Sequence, residues 1–384
     1  MSDDRDTTKR RSRAVAAALK AWWHASRRDL PWRHRTDDPY AIWVSEVMLQ
    51  QTQVATVTDY YARFLEAFPR VEDLAAARLS DVLKAWEGMG YYARARRLHA
   101  AARRIVAEFD GRLPRTLEAL RSLPGVGEYT AAAVASIAFG LDEPVLDGNV
   151  TRVLARVFRV RQDPRAARTR RRLAKLAGSL ISPGQAAVIN QALMDLGATV
   201  CAPRRPRCDA CVLRAWCLAA AHGEQHRLPR RPARKPIPHY EVAAGVVWRR
   251  RRLLIDRRKP EGLLGGLWEF PGGKRQPDET LEAAVVREVR EELGIDVRPT
   301  ALLTTVRHAY THFRITLHAF ECRYVSGRCR AIGCDAFQWV RLAELDDYAF
   351  PAANHKIIAA LREAHSAEAP AARRRQSGRS RLRS

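Results

Sequence analysis

The 384-residue chain has few acidic residues for its size. Its 42 Asp and Glu stand against 67 Lys and Arg, which gives a net charge of +25. It also lacks any apolar run approaching the ~20 residues of a transmembrane helix, and no apolar core follows the charged start, as it would in a signal peptide. We therefore expect a cytosolic protein with a polyanionic partner. Nucleic acid is the first candidate, and an acidic membrane surface is the alternative.

Two kinds of pattern divide the chain. Residues 13–220 are rich in Ala and Leu at helical spacing, with Gly and Pro between the segments, whereas residues 240–363 alternate as strands do. The basic, proline-rich stretch 221–239 predicts an extended linker. Residues 1–12 are expected to be disordered, and 364–384 read as a basic low-complexity tail. The expected fold is multidomain, with an all-α domain followed by an α+β domain.

Cysteine is scarce except in one short segment. The sequence CAPRRPRCDACVLRAWC, residues 201–217, holds four of the seven cysteines, separated by six, two and five residues. Four thiolates so close together predict a metal centre rather than disulfides, and both zinc and an iron–sulfur cluster fit four thiolates. The predicted ligands are Cys201, Cys208, Cys211 and Cys217. The remaining cysteines, Cys322, Cys329 and Cys334, are interpreted as unligated thiols.

One carboxylate stands in an unusual setting. In SEVMLQQTQV, residues 45–54, Glu46 lies among apolar residues, and no lysine or arginine occurs from Trp43 to Tyr61. The stretch is interpreted as a helix in which glutamines share the turns with an apolar face. Glu46 is then either a solvated acid on a helix face or an acid facing a pocket, where desolvation would raise its pKa.

Two further motifs lie between this stretch and the cysteines. LPGVGEYTAAAV, residues 123–134, places Gly125 and Gly127 in a tight turn that opens a helix, where backbone N–H groups can bind a phosphate. A plain helix–helix turn is the alternative. In LDGNVTRVLARV, Asp147 stands where a helix begins and is expected to be its N-cap.

Hairpin, aspartate and cysteine loop in this order resemble the helix-hairpin-helix, endonuclease III-like DNA glycosylases. LPWR (30–33), DPYAIWVSEVMLQQTQV (38–54), GMGYYARARRLH (88–99) and NQALMDLGA (190–198) closely resemble the MutY-type adenine DNA glycosylases, which remove adenine mispaired with 8-oxoguanine. The resemblance implies a 4Fe–4S cluster on the four cysteines, a monomer acting on double-stranded DNA, and a location in the bacterial cytosol or nucleoid. The lyases of this superfamily carry a nucleophilic lysine where this chain has Tyr129, so a monofunctional enzyme is expected.

The resemblance also implies roles for single residues. Glu46 would protonate adenine N7, Asp147 would stabilise the cationic sugar, and Asn149 would order that site. Around the flipped adenine the matching positions are Arg28, Trp32, Arg33, Tyr129 and Gln191. The positions that match DNA contacts are Gln51, Tyr91, Gly125 and Gly127.

The second domain contains a complete Nudix box, GGKRQPDETLEAAVVREVREELGI, residues 272–295. Glu288, Glu291 and Glu292 share one face of its helix, which predicts a Mg²⁺ site. MutY-type enzymes end in a Nudix-like domain that recognises 8-oxoguanine, usually with this box eroded. By that resemblance, Tyr310, Thr311 and His312 read the lesion. The complete box also raises hydrolysis of a nucleoside triphosphate as an additional activity.

Two other functions compete with the adenine glycosylase. One is a nucleotide-pool Nudix hydrolase that carries a DNA-binding domain. The other is a non-catalytic iron–sulfur protein that binds DNA or senses redox state. The second leaves unexplained why Glu46, Tyr129 and Asp147 all match catalytic positions.

Overall fold

The computed structural model describes residues 2–230 and 236–377 of the chain. The chain forms two compact units. One comprises Met1–Ala76 and Arg97–Arg234, and the other comprises Ala77–Arg96 and Lys235–Ser384. The second unit therefore takes in the segment 77–96, which the sequence had assigned to the helical domain. Among the described residues, no helix combines the length and apolarity needed to cross a bilayer.

The first unit is helical, as predicted. Its helices are α1 (Ser2–Ser26), α2 (Pro39–Leu49), α3 (Val54–Ala67), α4 (Val71–Ala76), α6 (Ala93–Glu108), α7 (Leu117–Ser122), α8 (Glu128–Phe139), α9 (Gly148–Val157), α10 (Ala167–Gly178), α11 (Ala186–Thr199) and α12 (Leu218–Ala221). The first four residues of α6 belong to the second unit, as does all of α5 (Leu79–Ala85). Short 3₁₀ turns occur at Pro31–His34, Cys208–Ala210 and Arg214–Trp216.

One large core joins the N-terminal helix to the helices around the cysteines. Val15, Leu19 and Trp23 of α1 pack with buried residues of α9, α10 and α11. The helix α1 begins at Ser2, so the structure contradicts the predicted disorder of residues 1–12. That stretch contains no Gly or Pro, and its Lys and Arg are good helix formers that continue the packed helix. Ser12 is buried and its hydroxyl lies 2.9 Å from that of Ser179.

The second unit contains a mixed sheet between two helices. The strands are β1 (His239–Arg249), β2 (Arg252–Arg257), β3 (Trp268–Glu269), β4 (Gly272–Lys274), β5 (Ile295–Ala309), β6 (Arg314–Gly327) and β7 (Ala336–Val340), and the helices are α13 (Leu281–Leu293) and α14 (Ala352–Ser377). The strand order is β3-β2-β1-β6-β5, with β4 paired to β1 and β7 to β2. Strands β1 and β6 are parallel.

Alternation along β1 sends neighbouring residues to opposite cores. Ala243 and Val247 pack with α13, whereas Ala244 and Val246 pack in the core that contains α14. Thr280 caps α13 through its hydroxyl, and Gly294 ends it in a left-handed conformation with a φ of 68°. The α+β prediction is confirmed, although α14 extends to Ser377 and so into the predicted tail, whose last residues lie outside the described part.

The predicted linker is only partly separate from the helical unit. Within 221–239, the Nε of Arg156 donates to the carbonyl of Leu228 at 2.9 Å, and Leu228 is buried. Glu224 accepts hydrogen bonds from Arg159 and Arg161. Residues 231–235, in the middle of the predicted linker, lie outside the described residues.

Candidate active site

Helix α2 carries Glu46 into the interior of the first unit. Asp38 caps the helix by accepting from the backbone N–H of Ala41 at 3.0 Å, and Pro39 occupies the first turn. Every residue from Tyr40 to Met48 is buried, and Glu46 is only 4% exposed. A helix that is apolar all round has no solvated face, so the interpretation of Glu46 as a solvated acid is wrong.

The predicted single helix over residues 45–54 is also wrong. Helix α2 ends at Leu49, and α3 begins at Val54. Gln51, in the connecting turn, has a φ of 59°, which stops the helix. The glutamines therefore belong mainly to a turn. Gln51 is exposed there, while the amide of Gln50 donates to the Thr130 hydroxyl at 2.8 Å.

The environment of Glu46 favours its neutral form. Burial raises the pKa of Glu46 to about 7, and the charge of Asp147 adds to this, against the opposing effects of Tyr129 and Arg33. The Tyr129 hydroxyl donates to Glu46 Oε2 at 2.8 Å. Burial also raises the pKa of Tyr129 well above its ordinary value, so Tyr129 keeps its proton. A carboxyl group with a pKa near 7 can donate a proton at neutral pH.

Asp147 is held rigidly at the start of α9. Its Oδ1 accepts from the backbone N–H of Val150 at 2.6 Å, which confirms the predicted N-cap. Its Oδ2 accepts from the Asn149 amide at 2.9 Å. The Oδ1 of Asn149 in turn accepts from Arg152 at 2.7 Å. Arg152 was not predicted from the sequence, and it fixes which way the Asn149 amide points.

A cavity of about 200 Å³ gathers the predicted catalytic and pocket residues. Its walls include Arg28, Trp32, Arg33, Glu46, Tyr129, Asp147, Asn149 and Gln191. These residues come from α2, α8, α9, α11 and the segment before α2. One cavity therefore holds a neutral acid, an aspartate and an aromatic wall, together with hydrogen-bonding groups.

Asp195 organises the arginines of this cavity and was missed in the sequence. It accepts from Arg28 Nε at 2.8 Å and from Arg33 at 2.8 Å, and its side chain is fully buried. Burial raises the Asp195 pKa, but the two guanidinium groups outweigh it and leave the pKa below its ordinary value. The Nε of Arg33 also donates to Gln191 Oε1 at 3.1 Å. Its position as the one acid in the apolar segment NQALMDLGA, residues 190–198, could have indicated a buried, paired carboxylate.

The hairpin turn between α7 and α8 requires its first glycine. Gly125 has a φ of 78°, and a Cβ there would lie 2.7 Å from the Cβ of Arg97. Gly127 is the N-cap residue of α8. Neither glycine lines the cavity. The turn leaves the backbone N–H groups at the start of α8 in the position that the phosphate-binding prediction requires, and a plain helix–helix turn has the same geometry.

The four clustered cysteines line one depression, together with Arg156, Arg207 and Arg214. Arg156 surrounds the first of them, since its Nη1 donates to Cys201 Sγ at 3.2 Å and to the Ala202 carbonyl at 2.8 Å. Among the described residues, no group of three His, Cys, Asp or Glu side chains could hold one metal ion. The four predicted ligands are thus brought to one place on the surface of the helical unit.

The Nudix-box carboxylates line two different cavities and share a guanidinium group. Glu288 and Glu292 line a second cavity of about 430 Å³, but Glu291 faces a separate surface depression. Arg287 lies among them and donates to Glu288 at 2.8 Å and Glu291 at 3.2 Å. Arg287 thus supplies positive charge to two of the three glutamates predicted to bind Mg²⁺. Burial raises the pKa of Glu292 to about 8, and the charge of Glu269 adds to it.

The predicted lesion readers form the turn between β5 and β6. The backbone N–H of Tyr310 donates to the Phe313 carbonyl at 2.9 Å, and Thr311 and His312 are exposed between them. Tyr310 instead packs against Phe313 and lines the 430 Å³ cavity. The Thr311 hydroxyl lies 2.5 Å from that of Tyr91, which is 40% exposed. Tyr91 and Thr311, predicted separately, thus meet within the second unit.

Comparisons with known proteins find two families along the chain. Residues 44–178 match the HhH-GPD superfamily of base excision DNA repair proteins, and residues 243–360 match the NUDIX domain. A solved structure of a thermostable thymine-DNA glycosylase is 32% identical, with a TM-score of 0.51. The match covers 56% of this chain and 99% of that one.

Two curated relatives match across both domains. The adenine DNA glycosylase of Homo sapiens is 38% identical over 363 residues, which cover 80% of this chain and 66% of the human protein. The adenine DNA glycosylase of Rattus norvegicus is 35% identical over 399 residues, which cover 90% of this chain and 77% of the rat protein. The chain therefore belongs to the adenine DNA glycosylase family.

Proposed function

We propose that this protein removes adenine mispaired with 8-oxoguanine, or with guanine, from duplex DNA in the cytosol. The observation that carries the proposal is the buried Glu46, whose pKa is raised to about 7 in a cavity it shares with Asp147. Adenine reaches such a cavity only if it is flipped out of the duplex. Trp32 and the polar side chains of Arg33 and Gln191 supply a stacking surface and hydrogen-bonding groups for it.

The chemistry follows from the two carboxyl groups. Protonated Glu46 donates its proton to adenine N7, and the C1′–N9 bond breaks with its electron pair going to the base. The sugar becomes an oxocarbenium-like cation, which the Asp147 carboxylate stabilises. Water then attacks C1′, and the Glu46 carboxylate accepts a proton from it. Adenine and an abasic site are the products.

The strand should remain intact in this reaction. Tyr129 occupies the position of the lyase lysine, and its hydroxyl is engaged with Glu46. Without an amine at that position no Schiff base forms with the abasic sugar. Borohydride should therefore trap no covalent protein–DNA adduct.

A duplex with a central 8-oxoguanine:adenine pair tests the proposal. Wild-type protein should release adenine and give a strand break only after alkali treatment. Glu46→Gln should bind the duplex yet release no adenine, because it has no proton to donate. Glu66→Gln, which alters an exposed glutamate of α3, is the matched control and should act as wild type. Near-normal turnover by Glu46→Gln would refute the assignment.

The cysteine loop supports a 4Fe–4S cluster as part of this proposal. In such a cluster each cysteine binds a different iron, so the four sulfurs surround a larger centre than a zinc ion. The four thiols line one depression, where they would hold such a cluster. Arg156 would donate a hydrogen bond to the ligand sulfur of Cys201. Purified protein should contain about four iron atoms per chain, and Cys208→Ser should lower that content.

The NUDIX domain supports a second candidate activity, hydrolysis of a nucleoside triphosphate with Mg²⁺, such as an 8-oxo-purine one. The favouring observation is that Glu288 and Glu292 line a 430 Å³ cavity with Arg258 and three aromatic residues. Pyrophosphate release across a nucleotide panel tests it, with Glu292→Gln as the disabling variant and the exposed Glu282→Gln as control. Background release by the wild-type protein would leave the domain as a lesion reader alone.

A further inference from the structure

The segment between α5 and α6 folds into a tightly specified loop, Trp86–Tyr92. Trp86 is fully buried and its indole N–H donates to the Gly90 carbonyl at 3.1 Å. The Tyr92 hydroxyl accepts from the backbone N–H of Gly88 at 3.1 Å. Three residues of the loop have positive φ: Gly88 at 89°, Gly90 at 73° and Tyr91 at 51°. For a tyrosine this is a strained conformation, which persists only where surrounding contacts hold it.

Glu87 attaches this loop to the NUDIX part of the same unit. Its Oε1 accepts from the backbone N–H of Phe350 at 2.7 Å and lies 3.0 Å from His355 Nε2. Its Oε2 accepts from Lys84 Nζ at 2.6 Å, and the same ammonium donates to the Tyr348 carbonyl at 3.0 Å. The side chain of Glu87 is 15% exposed.

The carboxylate of Glu87 is ionised in this position. Burial raises its pKa, but the hydrogen bonds from His355, Lys84 and Phe350 outweigh burial, and the pKa lies below its ordinary value. Hydrogen bonds to an ionised acceptor are stronger than those between neutral groups. Glu87 is therefore a firm attachment point rather than a surface ion pair.

Four residues further on, the loop meets the domain again at the exposed tip of the β5–β6 turn. There the Tyr91 and Thr311 hydroxyls lie 2.5 Å apart. Glu87 and Tyr91 stand at opposite ends of a short, strained loop. Fixing one end therefore limits where the other can lie.

We propose that Glu87 is a positioning residue for reading the base opposite adenine: it holds the Trp86–Tyr92 loop so that Tyr91 and Thr311 act as one paired reader. The inference rests on the proposed function and on the roles that the family resemblance implies for Tyr91, as a DNA contact, and Thr311, as a lesion reader. It predicts that Glu87 sets the preference for 8-oxoguanine over guanine without touching DNA.

Single-turnover rate constants for adenine release opposite 8-oxoguanine and opposite guanine test this inference on the full chain. Glu87→Ala should lower the ratio of the two constants about tenfold, the size expected for losing one charge-assisted hydrogen bond. Glu87→Gln keeps an acceptor for Phe350 N–H but loses the charge facing Lys84, and should lower the ratio less, by about threefold. Glu363→Ala, at an exposed position of α14, is the matched control and should leave the ratio unchanged.

Repeating the Glu87→Ala substitution in a Thr311→Val protein distinguishes a positioning role of Glu87 from a general effect on stability. Thr311→Val removes one hydroxyl of the pair at nearly constant volume. If Glu87 acts through Tyr91 and Thr311, Glu87→Ala should change the ratio little in that background, because coupled residues are not additive. The inference would be overturned if Glu87→Ala lowered the ratio equally in the wild-type and the Thr311→Val protein. It would also be overturned if Glu87→Ala lowered both rate constants to the same extent, because the ratio would then not change. If Glu87→Ala does not fold, Glu87→Gln decides by the same criteria. Wild-type protein that releases no adenine opposite either base would refute the proposed function itself, and this inference with it.

Discussion

A single buried carboxyl group should govern the pH dependence of the reaction. In the proposed reaction Glu46 is an acid and must be protonated, and its pKa is about 7 in the DNA-free protein. The active acid form therefore predominates below pH 7 and is lost as the pH rises through that value. We expect kcat/KM for an 8-oxoguanine:adenine duplex to fall about tenfold per pH unit above about 7, since kcat/KM reports the free enzyme. A value that rises between pH 6 and pH 8 would contradict the assignment.

Tyr129 should affect the pH at which kcat/KM begins to fall. Its hydroxyl donates to Glu46 and so stabilises the ionised carboxylate, which lowers the Glu46 pKa. Tyr129→Phe removes the donor and keeps the ring, so the Glu46 pKa should rise. The fall of kcat/KM with increasing pH should then begin at a higher pH. The comparison of pH profiles for Tyr129→Phe, wild type and Tyr60→Phe, which alters a partly exposed tyrosine of α3 outside the cavity, measures this. A shift to lower pH would mean that Tyr129 acts on Glu46 in another way.

At the scale of single residues, sequence motifs pointed to the residues proposed to act in the reaction, but not to the residues that hold them in place. Glu46, Asp147 and Tyr129 could be identified because each stands in a local pattern of its own. Asp195 could not be matched to its partners, since Arg28 lies 167 positions away in the chain. Which distant groups satisfy a buried charge depends on tertiary packing, and no short pattern in this sequence records it.

At the scale of elements, prediction from the sequence was wrong where the backbone adopts an uncommon conformation. The turn between α2 and α3 uses Gln51 at a φ of 59°. Gly or Asn would have signalled a left-handed residue, whereas Gln gives no such signal. The strands could be predicted from their alternation, and α13 from the Nudix box, whose glutamates share one helix face. In the structure Thr280 caps that helix and Gly294 ends it.

The contact between α11 and the segment before α2 should depend on one carboxylate. Asp195 is fully buried between two guanidinium groups, and Asp195→Asn would leave both of them without a counter-charge. Breaking a buried pair from one side costs about 3–5 kcal/mol. We expect a loss of about 3 kcal/mol in the free energy of unfolding, measured by urea denaturation. Asp59→Asn, at an exposed site of α3, should change it by less than about 0.5 kcal/mol. A loss of similar size in both variants would show that the buried pair is not the cause.

At the scale of the whole molecule, the domain boundary was the least predictable feature. Residues 77–96 lie within the helical region of the sequence but form a unit with residues 235–384. Their attachment uses Glu87, Lys84 and backbone groups near Phe350, more than 250 positions away. Composition and periodicity assign a segment by its secondary structure, and the match to the HhH-GPD family over residues 44–178 includes this segment too, whereas its packing groups it with the sheet domain.

The net charge of +25 makes a prediction about the whole molecule on DNA. Each phosphate contact adds about −0.9 to the slope of log K against log salt, so binding should weaken steeply between 50 and 200 mM salt. Arg204, Arg205 and Arg207 are exposed in the cysteine loop. If they contact phosphates, replacing all three by Gln should reduce the slope by about 2 to 3.

The matched control removes the same charge elsewhere. Arg250, Arg251 and Arg252 are exposed around the β1–β2 turn, and their replacement by Gln should change the slope less. Fluorescence anisotropy of a labelled duplex over a salt series measures both. If the two triple variants change the slope equally, only total charge matters and the cysteine loop is not a preferred DNA contact. A larger change in the 204–207 variant places phosphates against that loop, because counterion release counts only the contacts actually made.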